Sequence, residues 1–320
     1  MNDGLQLEPG IRRFLDEMRA EWRNHPPFET LSFPEQRQVA EQVRARWTSG
    51  GPVMARTTDR VLDPGAGELP LRIYLPEGVA EPAPALVYLH GGGFTLFSIE
   101  THDRLMREYA AQGGFAVIGV DYPLAPEAKY PVALDRIEAL MLWLHANGRE
   151  LGIDPDRLAM GGDSAGANLS FATTLRLRER GLHGIVRAIL SNYGGFSARL
   201  SDEAEAKFGG PGSIMDRAEA EQYYANYLND AGEADDPFAC PINADLTGFP
   251  PVFLCIPECD IVTEQSVAMD ARLRAAGVET ASKLYRGAIH SFLEAMSVSA
   301  LAREAIADGA DFVASKLEAR

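Results

Sequence analysis

From residue 70 onward, short apolar runs alternate with longer stretches in which apolar residues recur every three or four positions. The runs at 71–75, 85–90, 116–121, 157–161, 186–191, 251–256 and 281–285 are rich in Val, Ile, Leu and aromatic residues. They are too short for stable helices and predict strands. The stretches at 131–146, 164–180, 266–276 and 299–317 carry the helical period instead. Mostly apolar strands alternating with helices predict an α/β fold built on a doubly wound, mostly parallel sheet.

Two parts of the chain depart from this alternation. Residues 1–50 are helical in pattern: Ile11, Phe14, Leu15, Met18 and Trp22 fall on one face of a first segment, and Val39, Val43 and Trp47 mark a second. Pro26-Pro27 separates the two. The other departure lies between Tyr193 and Pro250, where Gly209-Gly210-Pro211-Gly212 precedes an aromatic helix, Arg217 to Leu228, carrying Tyr223, Tyr224 and Tyr227. This insertion follows the strand at 186–191, at the edge of the sheet where the strands end. The reading is an α/β domain over 51–320 with a helical cap, made from residues 1–50 and an insertion at about 195–235. Such a cap acts as a lid that excludes water and sets substrate length, or its tyrosines are simply packing residues.

Charge narrows the partners. The 320 residues carry 46 acidic and 30 basic side chains, a formal net charge of −16. A nucleic-acid binder needs a basic footprint, and anionic membrane surfaces repel such a chain. The bland consequence, solubility, is preferred. The N-terminus is polar from Asp3, and no run approaches the roughly 18 apolar residues of a membrane span. The expectation is a cytoplasmic protein without a signal peptide. Three cysteines, Cys240, Cys255 and Cys259, have no metal-type spacing with histidine, so reduced thiols, no metal and no cofactor are expected.

The chemistry-bearing motifs sit at strand ends. Gly162-Asp163-Ser164-Ala165-Gly166 lies between an apolar run and a helical pattern. A sharp strand-to-helix turn there lifts the Ser164 hydroxyl clear of the sheet beside a helix N-terminus. The strand at 85–90 runs into His90-Gly91-Gly92-Gly93-Phe94. Glycine backbone can approach a substrate oxygen closely, so Gly92 and Gly93, then Gly91, are candidates to stabilise an oxyanion together with the Ala165 N–H. In this chain order the general base follows the nucleophile. Only His183 and His290 do so, and His183 lies in a polar link. His290 follows the strand-like run 281–285 and a short glycine-containing loop, 286–289. The orienting carboxylate belongs after the preceding strand, which ends in Pro257-Glu258-Cys259-Asp260. Asp260 is the first choice and Glu258 the second.

Taken with Asp121-Tyr122-Pro123-Leu124-Ala125-Pro126-Glu127 and His290-Ser291-Phe292, these pieces make residues 70–318 resemble the hormone-sensitive-lipase-like family of α/β hydrolases, and within it the bacterial acetyl esterases. The resemblance implies an α/β-hydrolase catalytic domain and a serine carboxylesterase of short acyl chains. Ser164, Asp260 and His290 would be its triad, with Gly92, Gly93 and Ala165 as the oxyanion hole. Departures follow the acid, where Ile261-Val262 replaces the usual Pro-Leu, and the histidine, where Ser291 replaces the usual Gly. Phe94, Leu96, Asp163, Tyr193, Ile261 and Phe292 are expected around the pocket. Their mostly apolar character implies a small neutral ester without charged recognition. An edge-strand homodimer is common in similar enzymes. Amide, carbamate and lactone hydrolysis would use the same triad. A non-catalytic ligand-binding protein of this fold would lose a triad member, and this chain keeps all three.

Overall fold

The computed structural model describes residues 6–210 and 213–318; Pro211 and Gly212 of the glycine-rich stretch lie outside the described residues. The strands are β1 (Arg56–Leu62), β2 (Leu69–Leu75), β3 (Ala83–Leu89), β4 (Ala116–Val120), β5 (Ile153–Asp163), β6 (Val186–Asn192), β7 (Val252–Cys259) and β8 (Thr280–Ile289). Helices α1 (Pro9–Trp22) and α2 (Phe33–Thr48) precede them. Helices α3 (Ile99–Gly113), α4 (Val132–Asn147), α5 (Ala165–Glu179), α6 (Asp202–Phe208), α7 (Arg217–Tyr227), α8 (Thr263–Ala275) and α9 (Ala300–Glu318) lie between or after the strands.

One sheet runs in the order β1-β2-β4-β3-β5-β6-β7-β8. From β4 through β8 every pairing is parallel, and β1 and β2 add an antiparallel end. The two faces are covered separately. Leu134, Ile137, Leu140, Leu169, Leu175, Met269 and Leu273 from α4, α5 and α8 pack on one face, against Ile73, Val87, Ile118 and Leu254. On the other, α1, α2, α3 and α9 contribute Phe14, Trp47, Met106, Ile306 and Val313 against Leu86, Val117, Leu190 and Phe253. Strands buried on both sides lose the polar alternation of a half-exposed sheet, which is why their sequences read as continuous apolar runs.

The seven expected strands are all present, and two features differ from expectation. β1 was not foreseen: Arg56-Thr57-Thr58-Asp59-Arg60-Val61-Leu62 is mostly exposed, and its apolar residues give no strand signal. Pairing with β2, from Arg56 opposite Leu75 to Leu62 opposite Leu69, makes it a strand. The segment 286–289, expected as a loop, continues β8. Between the pairs Pro257–Tyr285 and Cys259–Ile289 β8 bulges, and the Glu258 carboxylate accepts the Gly287 N–H at 2.8 Å.

The N-terminal helices begin as their sequences dictate. Ser32 and Glu35 form a capping box ahead of α2, with Pro34 in its first turn, and Glu8 accepts the Ile11 N–H at the start of α1. Among the described residues no helix is long and apolar enough to cross a membrane.

Candidate active site

β3 and β5 are neighbours, paired in parallel up to Leu89 opposite Gly162. β4 flanks β3 on one side and β6 flanks β5 on the other. The connections that follow β3 and β5 therefore part in opposite directions. This opens a crevice at the carboxyl ends of the strands, the place where open α/β sheets bind ligands. Both glycine motifs empty into it.

Ser164 occupies the turn between β5 and α5 with φ 52 and ψ −114, a left-handed backbone that a serine adopts at a cost of about 1–3 kcal/mol. The turn is pinned by the Ser164 N–H to the Asn192 carbonyl at 2.9 Å. A Cβ on Gly162 or Gly166 would collide with the Leu89 carbonyl, so the motif's glycines are set by the closeness of β3. His290 follows β8 directly and Asp260 follows β7. Nε2 of His290 lies 3.0 Å from Ser164 Oγ, and its Nδ1 lies 2.7 Å from Asp260 Oδ2. Asp260 is held in turn by the Val262 N–H at 3.1 Å on Oδ1. Tyr193 meets the imidazole edge to face at 5.1 Å. A hydroxyl, imidazole and carboxylate in this series can pass the hydroxyl proton to the imidazole while the carboxylate fixes its tautomer. Glu258 is turned away, bonded to Gly287 and 3.6 Å from Arg286, and His183 is exposed elsewhere.

Burial disfavours the His290 imidazolium. The charge and hydrogen bond of Asp260 outweigh burial, with smaller pulls from Asp163 and Glu219, and raise the pKa above its ordinary value.

The loop after β3 corrects one expectation. The Gly91 N–H donates to Asp163 Oδ1 at 3.1 Å, so it is not available to a substrate oxygen. Among the described residues the N–H groups of Gly92 and Gly93 have no protein acceptor. Ala165 opens α5, where a backbone N–H has no partner in the preceding turn. Asp163, expected at the pocket, is instead turned under the loop. It accepts from Tyr88 Oη at 2.9 Å and lies 3.3 Å from His102 Nε2. His90 stacks on Tyr122 at 4.4 Å, and its carbonyl accepts the Tyr122 hydroxyl at 2.7 Å. Burial, with repulsion from His102, lowers the His90 pKa to about 3, so this ring is neutral.

Over Ser164 and His290 stands a cavity of about 310 Å³. Gly92, Gly93, Leu96, Phe97 and Ser291 form its floor and near wall; Leu15, Met18, Trp22, Phe28, Met215 and Tyr223 form much of the rest. Of the expected pocket residues only Leu96 lines it. Phe94 is stacked on Tyr227 at 3.9 Å, and Phe292 lies behind Tyr193. Ile261 packs with Ala204, Met215 and Val262 in a small cluster beyond Asp260. The expectation of uncharged walls also fails: Arg19, Arg44 and Glu219 reach the cavity. Arg44 is paired with Glu294 at 2.7 Å, both buried, and sits over the Phe97 ring. Glu219 accepts from Tyr223 Oη at 2.7 Å, and desolvation by the protein around the cavity raises its carboxyl pKa. Nothing in an acid-rich helix marks Glu219 as different, whereas Met18 and Trp22 belong to the apolar face already visible in the sequence.

A family model described as alpha/beta hydrolase fold matches residues 86–294. Acetyl esterases of Salmonella agona (strain SL483) and Salmonella enteritidis PT4 (strain P125109) are each 33% identical over 318 residues, covering 97% of both chains. Among solved structures, a hyperthermophilic esterase from the archaeon Pyrobaculum calidifontis is similar at a TM-score of 0.90 and 29% identity, over 97% of this chain and 98% of that one. An ester hydrolase from the metagenome of Lake Arreo, complexed with a derivative of bipyridine phosphonate, matches at 0.90 and 29%, over 97% and 99%.

Proposed function

The chain belongs to the hormone-sensitive-lipase-like family of α/β hydrolases and is a carboxylic ester hydrolase; we propose that it cleaves short-chain acyl esters through Ser164, His290 and Asp260. The observation that carries the reading is the hydrogen-bonded series from Asp260 through His290 to Ser164 at the floor of the cavity. His290 takes the Ser164 proton as Oγ attacks the ester carbonyl. The oxyanion forms against the N–H groups of Gly92, Gly93 and Ala165. Collapse expels the alcohol with His290 as acid, and a water activated by His290 then releases the carboxylic acid.

Substrate size follows from the enclosure. The cavity is at the small end of the roughly 300–1,000 Å³ of ligand sites. Leu15, Met18 and Trp22 of α1 and Met215 and Tyr223 close it from above. We read α1, α2 and the 195–235 insertion as a cap that excludes water. We take this enclosure to favour short acyl groups such as acetyl and butyryl over long chains.

Initial rates on p-nitrophenyl acetate, butyrate, octanoate and palmitate, beside p-nitroacetanilide and with Ser164→Ala in parallel, test this. The expected result is activity that falls steeply beyond butyrate, is weak on the anilide and is absent in the variant. A flat or rising ester series overturns the short-chain reading, and a faster anilide overturns the ester reading.

A further inference from the structure

The loop His90–Ser98 bears four left-handed residues, Gly92, Gly93, Phe94 and Phe97, two of them without glycine's freedom. A backbone of that kind persists only where its surroundings over-determine it. Here the surroundings are both parts of the cap. From α2, Arg37 donates through Nε to the Thr95 carbonyl at 2.9 Å and through a terminal nitrogen to the Ala125 carbonyl at 2.8 Å. Its guanidinium also forks onto Glu127 at 3.0 and 2.6 Å. One turn along α2, Glu41 accepts the Ser98 hydroxyl at 2.6 Å.

From α7, Tyr227 stacks face to face on Phe94 at 3.9 Å, and Asn226 donates to Thr95 Oγ at 3.4 Å. The Thr95 hydroxyl in turn donates to the Gly93 carbonyl at 3.0 Å. Thr95, almost wholly buried, is thus gripped by α2 on its carbonyl and by α7 on its side chain. It lies two residues from Gly93, whose N–H has no acceptor among the described residues.

We propose that Arg37, Asn226 and Tyr227 are positioning residues for the oxyanion hole, so that the cap governs turnover by holding Gly92 and Gly93 in place as well as by enclosing the substrate. The inference rests on the oxyanion role given above to those two glycines. Arginine suits the task because its planar fork serves two carbonyls and a carboxylate at once, which a lysine ammonium cannot.

The test uses the full chain as wild type, Arg37→Met, Arg37→Lys and Tyr227→Leu. A p-nitrophenyl phosphonate counts competent serines, p-nitrophenyl butyrate gives kcat and KM, and an alkyl trifluoromethyl ketone reports affinity for the oxyanionic adduct. Per titrated serine, Arg37→Met is expected to lower kcat about tenfold or more with KM within about twofold, and to weaken the ketone by the same factor. Tyr227→Leu should follow the same pattern, and Arg37→Lys should fall between wild type and Arg37→Met. Unchanged kcat per titrated serine, with activity lost only as serines are lost, overturns the proposal, as does an effect confined to KM. A wild type that hydrolyses the ester while Arg37→Met behaves normally defeats this inference alone. A wild type that neither reacts with the phosphonate nor binds the ketone defeats the serine-esterase reading beneath it.

Discussion

His102 Nε2 lies 3.3 Å from Asp163 Oδ2, and both side chains are shut away from water under the loop that carries Gly92 and Gly93. Burial opposes each charge, but each partner offsets it for the other: the His102 pKa is raised, and that of Asp163 is lowered with further help from the Tyr88 hydroxyl. The other oxygen of Asp163 takes the Gly91 N–H, so the ion pair is wired to the backbone it underlies.

Replacing His102 by Gln strands the Asp163 charge and is expected to destabilise the fold by about 3 kcal/mol or more. The pH dependence has a definite sign. A raised histidine pKa stabilises the fold fully below its unfolded value of 6.5 and loses that contribution as pH rises through the folded value. A lowered aspartate pKa contributes above 3.8 and is lost as pH falls through the folded value. The gap between wild type and His102→Gln should therefore be widest between these two ordinary values and narrow toward alkaline pH. Urea unfolding at pH 5, 7 and 9 measures it, and a gap that stays constant over that range refutes an ion pair.

Asp260 and Glu258 are two residues apart, yet only Asp260 reaches His290. Asp260→Asn keeps the volume but favours the wrong imidazole tautomer, and turnover should fall by about 10⁴. Glu258→Gln removes a weak contact to Arg286 and alters the bond to Gly287, so kcat should stay within about threefold. Steady-state kinetics of the two variants decide between them; the reverse ranking would move the orienting role to Glu258.

Much of this was legible because motif, strand and turn coincide. Ser164, Asp260 and His290 each follow an apolar run whose end could be located, and a parallel sheet places such ends on one rim. The orientation of side chains at that rim was not legible. Asp163 sits between Gly162 and Ser164, but the turn that exposes the serine drives its neighbour down onto Tyr88 and His102. Phe94 and Phe292 have pocket-like chemistry and are consumed by Tyr227 and Tyr193. Gly91, unlike Gly92, has a carboxylate beneath it, which one-dimensional spacing does not record. The polar edge strand β1 was invisible because its partner, and not its own residues, makes it a strand.

In the proposed mechanism His290 must be neutral to accept the Ser164 proton, so kcat/KM should rise with pH through its pKa. Because that pKa is raised, the acid limb should lie above the ordinary 6.5. Asp260 contributes most of the upward pull, and Glu219, from the cavity wall, adds to it. Glu219→Gln should move the limb to lower pH while leaving the fold intact. Profiles of kcat/KM for p-nitrophenyl acetate from pH 5 to 9 measure the change; a limb that stays in place or moves to higher pH would show that Glu219 does not raise the His290 pKa by its charge.

Gly93 supplies a final prediction because two constraints meet there. Its φ is +58, and a Cβ at this position would collide with the Tyr223 ring. Gly93→Ala must therefore push aside either α7 or the loop, and with a displaced N–H kcat should fall by about 10²–10³. Tyr223→Ala alone opens the cavity wall and should act more mildly. In the double variant the collision is gone, but the left-handed strain of alanine, about 1–2 kcal/mol, remains. The double variant should then turn over faster than Gly93→Ala alone, a departure from additivity in which the second substitution relieves the first. Rates of the four proteins on p-nitrophenyl butyrate, normalised to titrated serine, complete the cycle. If the two losses merely multiply, the Tyr223 ring is not what excludes a side chain at Gly93, and backbone conformation alone explains the glycine.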